Sequence, residues 1–256
     1  MRLTILGCSG SIPGPGAPAS GYLLEADSFL LGVDLGNGTF AELQARHDPF
    51  DLGALVFTHL HPDHCADFTA LTVLRRYHPA PPYDVSASRL PVHGPDNAPV
   101  RLARAYAPDD AELAATDLSD VFEFHPLLPG TSVHIGPFKV RPVPVDHLTE
   151  AFGLRFSHGG RTLAYTGDTG PCAALEELAA GADVLLSEAS WTHSPDRPAG
   201  VHLSGTQAGA LARRAGVSRL LITHIAPWSD RDAILAEARA EFPGADVVEQ
   251  GATYQL

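Results

Sequence analysis

Lysine is almost missing from this chain: Lys139 is the only one, and every other basic residue is arginine. With 17 basic against 30 acidic residues, the formal net charge is −13. A general nucleic-acid binder needs a basic face to neutralise phosphates, so this balance speaks against one. A small phosphorylated substrate stays open to an acidic enzyme whose metal cations supply positive charge locally. Cysteine is also scarce. Cys8, Cys65 and Cys172 are odd in number and far apart, which implies no disulfide framework and suits a reducing cytoplasm. No apolar run approaches the ~20 residues that span a bilayer, and residues 1–6 lack the long apolar core of a secretory signal. A membrane partner is therefore not expected.

The 45% hydrophobic content is that of an ordinary globule with a sizeable core. The 22 prolines are spread over many turns rather than gathered in a linker, and no repeat is visible, so residues 1–256 read as one continuous domain. Strand-like runs fall at 2–6, 21–25, 29–34, 54–58, 90–93, 133–135, 138–145, 152–156, 162–166, 184–188, 220–223 and 246–248. Helical patterns occupy 65–77, 171–180, 205–215 and 230–242. The second has Pro171 in its first turn and stops at Gly181, the third stops at Gly216, and the last takes Ser229 as its N-cap. Hairpins early and strand–helix units late predict two packed sheets with helices outside, an α/β fold in the form of a four-layer αββα sandwich. The pattern by itself also admits other α/β layouts.

Against this background one segment stands out. Thr58-His59-Leu60-His61-Pro62-Asp63-His64 follows the apolar run Ala54-Leu55-Val56-Phe57, where a buried strand should stop and a loop begin. Residues two apart in an extended turn point the same way, so His59 and His61 can hold one cation while Asp63 and His64 turn toward a second. Later strands end in the same fashion: Val143-Pro144-Val145 runs into Asp146-His147, the 162–166 run into Gly167-Asp168, and the 220–223 run into His224. Turns and caps use these residue types too, but packing does not require a ligand-type side chain at four strand ends. A two-metal hydrolase needs six or seven nitrogen and oxygen ligands around cations ~3.5–4 Å apart. His59, His61 and His147 would hold the first, Asp63, His64 and His224 the second, and the two oxygens of Asp168 would span both. Two divalent ions are therefore expected. Mostly imidazole with some carboxylate suits zinc, and manganese or iron can occupy such ligands.

These residues resemble the metallo-β-lactamase fold superfamily, whose pattern is H-x-H-x-D-H followed by a distant His, Asp and His. The resemblance extends along the whole chain and includes Leu6-Gly7-Cys8-Ser9-Gly10-Ser11, Asp34-Leu35-Gly36 and Thr166-Gly167-Asp168-Thr169. It implies the αββα sandwich and a hydrolytic dinuclear site. Leu90-Pro91-Val92-His93-Gly94-Pro95 and His202-Leu203-Ser204-Gly205-Thr206-Gln207-Ala208-Gly209 look like the phosphodiesterase branch typified by RNase Z. In that branch the histidine at the position of His202 assists phosphoryl chemistry. RNase Z carries a long tRNA-grasping arm between the metal His and the bridging Asp, whereas here only 21 positions separate His147 from Asp168. The armless core is similar to the atypical class II cyclic-nucleotide phosphodiesterases. The resemblance thus implies cyclic AMP or GMP as substrate, opened to a 5′-nucleotide by water activated between the cations. It assigns a catalytic role to His202 and leaves a homodimer open. Asp63 is expected to orient or deprotonate the water besides touching the second metal, and with no arm and a net negative charge a nucleic-acid partner is unexpected. RNA 3′-end processing and thioester or lactone hydrolysis on the same metal core are the competing activities.

Other residues stay open at this level. Glu188, ending an apolar strand, either orients a metal ligand or His202, or is a plain strand-end carboxylate. Trp191, Trp228 and Tyr77 are either core aromatics or surfaces for a purine. Arg75 and Arg76 read as a solvated helix face rather than a phosphate contact, and Cys65 as a small helix residue. His47, His78, His93, His125, His134 and His158 have no matched partner and read as structural, while His193 is undecided.

Overall fold

The computed structural model describes residues 1–256. The chain begins with a hairpin and a third strand, β1 (Arg2–Gly7), β2 (Gly21–Ala26) and β3 (Phe29–Leu35). Helix α1 (Thr39–Gln44) leads to β4 (Leu52–Val56), then α2 (Pro62–Cys65), α3 (Phe68–Tyr77) and β5 (Leu90–Gly94). Helices α4 (Ala98–Tyr106) and α5 (Asp110–Ala115) precede β6 (Phe122–Pro126). The second half runs β7 (Val133–Ile135), β8 (Phe138–Pro144), β9 (Phe152–His158), β10 (Arg161–Tyr165), α6 (Ala174–Ala179) and β11 (Val184–Glu188). It closes with α7 (Gly205–Ala215), β12 (Arg219–Thr223), α8 (Arg231–Glu241), β13 (Ala245–Val247) and β14 (Thr253–Gln255).

Two seven-stranded sheets result, in the orders β14-β1-β2-β3-β4-β5-β6 and β13-β12-β11-β10-β9-β8-β7. Successive side chains of a strand point to opposite faces, and here both faces are buried. In β3, Leu31 and Val33 join the core between the sheets, while Leu30 and Leu35 face the first helical layer. In β11, Val184 and Leu186 face the intersheet core and Leu185 the second helical layer. Three apolar cores thus fill the three spaces of a helix–sheet–sheet–helix sandwich, as expected. This is also why the strands read as continuous apolar runs rather than alternating ones.

Several local expectations need correction. The 65–77 helix is broken: α2 ends at Cys65 and α3 starts at Phe68, with Asp67 receiving the Phe40 N–H. Pro171 does not open α6, which starts three residues later with no capping side chain. The cap of α8 is Asp230 rather than Ser229, its carboxylate accepting from the amides of Asp232 and Ala233. Gly216, at φ 65°, ends α7 as anticipated. Unanticipated were α1, α4, α5, β6 and β14. Arg75 is no solvated residue. It is 1% exposed and donates to the carbonyls of Val121 and Ser88 and to Tyr83, tying α3 to the edge of the first sheet. Arg76 does lie at the surface, where it pairs with Asp120.

Candidate metal centre

Every strand that ends near the cluster delivers a polar residue to one rim of the intersheet crevice. His59, His61, Asp63 and His64 follow β4, His147 follows β8, Asp168 follows β10, and His224 follows β12. Pro62 at the first position of α2 gives His61 extended backbone (φ −67°, ψ 150°), so the segment turns sharply enough to present both its arms. Backbone packing closes the rim. A Cβ on Gly36 would lie 1.9 Å from the Asp63 carbonyl oxygen, and one on Gly10 would lie 2.5 Å from that of His224. His224 itself sits at φ 56°, an uncommon conformation for a side chain of its size.

The structure brings all seven expected ligand residues together in two adjoining groups. His59, His61 and His147 converge, with His61 Nδ1 lying 3.1 Å from both His59 Nε2 and His147 Nε2. Asp63, His64, Asp168 and His224 form the second group. Asp168 links them: its Oδ1 is 3.1 Å from His64 Nε2, and its Oδ2 is 3.2 Å from His224 Nε2 and 3.8 Å from His59 Nε2.

The imidazoles are held by their outer nitrogens, leaving the inner ones free to ligate. Nδ1 of His64 is 2.8 Å from Asp34, that of His147 3.0 Å from the Val201 carbonyl, that of His224 2.9 Å from Ser190 Oγ, and that of His59 3.1 Å from Thr58 Oγ1. Such partners fix ring orientation and raise ligand basicity. Asp34 is the anchor that the sequence reading missed as a site residue. Its carboxylate also accepts the Thr58 amide and hydroxyl and the Tyr165 hydroxyl. Its sequence signals were an acidic residue closing an apolar strand and its place in the Asp34-Leu35-Gly36 turn of the resemblance, which a turn role explains equally well.

Burial pushes the imidazoles of His59, His61 and His147 down, toward the neutral form a cation requires. For His64, burial also acts downward, but Asp168 and Asp34 outweigh it and raise the group well above its usual range. Burial would raise the carboxyls of Asp63 and Asp168, yet the neighbouring histidines hold both well below theirs. His64 Nε2 and Asp168 Oδ1 are buried and have no hydrogen-bond partner, although they face each other. Unsatisfied buried polar atoms cost ~1–3 kcal/mol each, a cost that a cation between them removes. The three imidazoles held toward the neutral form, the ionised carboxylates of Asp63 and Asp168, and two orphaned atoms aimed at one point fit divalent ions; at His64 a cation would take the place of the proton that Asp168 and Asp34 otherwise favour.

Beside this cluster, Glu188 is fully buried at the end of β11 and accepts from the Thr169 amide at 2.7 Å, Ser190 Oγ at 3.1 Å and His202 Nδ1 at 3.0 Å. Of its open readings, the geometry fits the one in which Glu188 orients His202. Burial lowers the affinity of His202 for a proton, but Glu188, then Asp168 and Asp63, override it and raise the ring to about 9. His202 Nδ1 is 4.0 Å from Asp168 Oδ2, so it borders the ligand cluster. His193 bonds Ser204 Oγ. His93 and His125 stack on each other at 4.8 Å, and none of the histidines read as structural joins a metal-capable group. Tyr77 is exposed and bonded to Tyr106, Trp228 is exposed, and Trp191 packs edge-on to His202 at 5.1 Å. Cys65 is buried at the end of α2. No helix is long and apolar enough to cross a membrane.

A rim of histidines and aspartates at the mouth of an αββα sandwich defines a metallo-hydrolase, and the chain belongs to the beta-lactamase superfamily. The family model described as a beta-lactamase superfamily domain matches residues 32–225. An uncharacterized protein of Mycobacterium leprae (strain TN) is 47% identical over 259 residues, which cover 100% of this chain and 89% of that protein. The probable metallo-hydrolase YhfI of Bacillus subtilis (strain 168) is 27% identical, with 95% of each chain covered. A ribonuclease Z of Mycolicibacterium paratuberculosis (strain ATCC BAA-968 / K-10) is 32% identical over 89% of this chain and 86% of its own. Among solved structures, YhfI superposes with a TM-score of 0.83 at 24% identity, covering 99% of this chain and 98% of its own. The short form of human tRNase Z gives 0.78 at 21%, covering 100% and 99%, and unliganded yeast PDE1 gives 0.74 at 16%, covering 98% of each. At those identities the structural likenesses establish the metallo-β-lactamase fold, with RNase Z-like and PDE neighbours.

Proposed function

We propose that the protein is a dinuclear phosphodiesterase that hydrolyses 3′,5′-cyclic nucleotides to 5′-nucleotides. The carrying observation is the pairing of part-buried His202 with buried Glu188 beside the ligand cluster, because a departing sugar oxygen needs a proton and His202 is built to hold one. His59, His61 and His147 would hold one cation and Asp63, His64 and His224 the other, with Asp168 reaching both. When bound, two such ions lower the pKa of water from 15.7 toward ~7 and offset negative charge on the phosphoryl oxygens.

The chain's own groups supply the rest. Asp63 stands with Oδ2 3.2 Å from His224 Nε2, low in proton affinity but placed to orient the attacking water and draw its proton. His202 Nδ1 is committed to Glu188, so Nε2 delivers the proton to O3′ as the P–O3′ bond breaks. Water oxygen joins phosphorus, and the product is a 5′-phosphate with a free 3′-hydroxyl. The hairpin β9–β10 fills the interval between His147 and Asp168, leaving a mouth suited to a small substrate. The net charge of −13 likewise disfavours a polyanion.

The second reading is RNA 3′-end processing, favoured by the 32% identity to a ribonuclease Z. Incubating zinc-, manganese- or iron-loaded protein with cyclic AMP, cyclic GMP, precursor tRNA, bis-p-nitrophenyl phosphate and S-lactoylglutathione separates these possibilities. Release of 5′-nucleotide from a cyclic substrate, with tRNA and thioester untouched, is the expected result. Cleavage of precursor tRNA without cyclic-nucleotide turnover would replace the first reading by the second.

A further inference from the structure

A cavity of about 340 Å³ opens beside His202, between the segment 191–200 and the start of α7. Trp191, His193, Pro195, Arg197, His202 and Gln207 line it, and no lining residue is acidic. In a chain with 30 carboxylate side chains, a cavity free of them next to the proposed proton donor is a pointed absence.

What the cavity offers is hydrogen-bond donors. Gln207 Oε1 accepts the Ser204 amide at 2.9 Å as half of the capping box of α7, so its NH₂ group is the part left free. Ser204 Oγ accepts the Gln207 amide at 3.2 Å and is paired with His193 Nδ1, 3.1 Å away. The Arg197 guanidinium lies 5.4 Å from the centre of the Trp191 ring. Its hydrogen bonds within the protein go to Thr192 alone, at 3.3 Å from Nε and 3.4 Å from Nη2, and the exposed outer end of the guanidinium keeps its N–H groups free for a ligand. The walls around these donors are flat: an indole and a proline ring.

Resting on the reaction proposed above, we propose that this cavity seats the substrate's nucleobase and that Arg197, held by Trp191, makes it selective for guanine. Flat walls suit a planar ring, which a bare phosphate would not need. Guanine presents two adjacent acceptors, O6 and N7, matched to the end of a guanidinium. Adenine places the N6 amino donor where O6 would be, so one donor of the seat loses its partner. Arg197 is thus a specificity residue, and His202 is both its neighbour and the link to the scissile phosphate.

The test compares kcat/KM for cyclic GMP and cyclic AMP in the wild type, Arg197→Ala and Arg197→Lys, with bis-p-nitrophenyl phosphate as the base-free reference. The wild type should favour cyclic GMP by roughly ten- to a hundredfold. Arg197→Ala should raise KM for cyclic GMP and bring the ratio to about one, with a larger loss on cyclic GMP than on the reference. Lysine keeps the charge but not the fork and should leave the ratio low. Equal use of the two nucleotides by the wild type, or a preference for cyclic AMP, overturns the assignment, as does an equal loss on the reference substrate. A Trp228→Phe protein retains Trp191 as its one tryptophan. Titrated with 5′-GMP and 5′-AMP, its fluorescence should respond to GMP at the lower concentration. If GMP binds selectively in this assay but neither cyclic nucleotide is cleaved, the reaction fails and the seat stands. If both are cleaved without preference, the reaction stands and the seat falls.

Discussion

His64 Nδ1 lies 2.8 Å from Asp34 Oδ2, and neither side chain is reached by solvent. This contact fixes the ring of one expected ligand through a residue on the neighbouring strand β3, about thirty positions away in sequence. Replacing Asp34 by Asn keeps the shape but weakens the acceptor, so metal affinity should fall about 10- to 100-fold. Replacing it by Ala also strands the Thr58 amide and the Tyr165 hydroxyl in the interior, at a further cost of about 2–4 kcal/mol. Metal content after dialysis against a competing chelator reads the first effect, and urea unfolding of metal-free protein reads the second. Unchanged retention in Asp34→Asn would remove Asp34 from the support of the site.

Metal removal should destabilise the fold as well as the reaction. With free ion at a hundred times its dissociation constant, one site contributes ~2.7 kcal/mol. For a chain of this size that amounts to a fall in Tm of roughly 5–10 °C on adding a chelator. In Asp168→Ala, which loses the carboxylate reaching both groups, the same addition should change Tm little. Scanning calorimetry of the two proteins with and without chelator decides the matter.

His202→Ala should retain its metal and lower kcat on a phosphodiester by about 10²- to 10³-fold with little change in KM, the loss expected of a proton donor. Glu188→Gln should give a smaller fall in kcat, on the order of tenfold, because one amide oxygen can still hold the ring. Steady-state kinetics beside metal analysis make the check. A rise in KM with kcat intact would mean that the pair binds substrate rather than protonating it.

Burial first, and the stacked His125 second, lower the His93 imidazole to about 4. The unfolded chain binds a proton there near pH ~6.5, while the fold keeps the ring neutral. Stability is therefore full above that pH and declines as the pH falls from ~6.5 toward 4, below which the loss levels off. The contribution is about 1–2 kcal/mol. His93→Phe should flatten the pH dependence by that amount relative to wild type, measured by denaturant unfolding of metal-free protein at pH 7, 5.5 and 4.5.

Gly36→Ala tests the packing beneath the cluster. With the Asp63 carbonyl oxygen 1.9 Å from the new methyl group, the HxHxDH turn or β3 must shift. A loss of about 2–4 kcal/mol in unfolding free energy is expected, along with reduced metal retention.

The ligand set was legible because chelation needs particular atoms, and four strand ends supplied them where turns have no such need. Layer architecture was legible for a related reason: doubly buried strands read as apolar runs, and interleaved helices left few ways to cover them. Supporting groups were not. Asp34 looked like a turn residue, and Arg75 looked solvated on an amphipathic helix, because their partners Tyr165, Val121 and Ser88 come from other elements. Strand β14 was invisible for the same reason: it has three residues and exists by pairing with β1 at the opposite end of the chain.

The sequence by itself therefore determined which atoms are available for chemistry and which strands must be buried, since both follow from residue type and local spacing. Only the tertiary structure decided which nitrogen of each imidazole faces inward, that Glu188 holds His202, and that a donor-lined cavity opens beside them. Those features depend on hydrogen bonds between segments distant in the chain, and local spacing carries no information about which segments will meet.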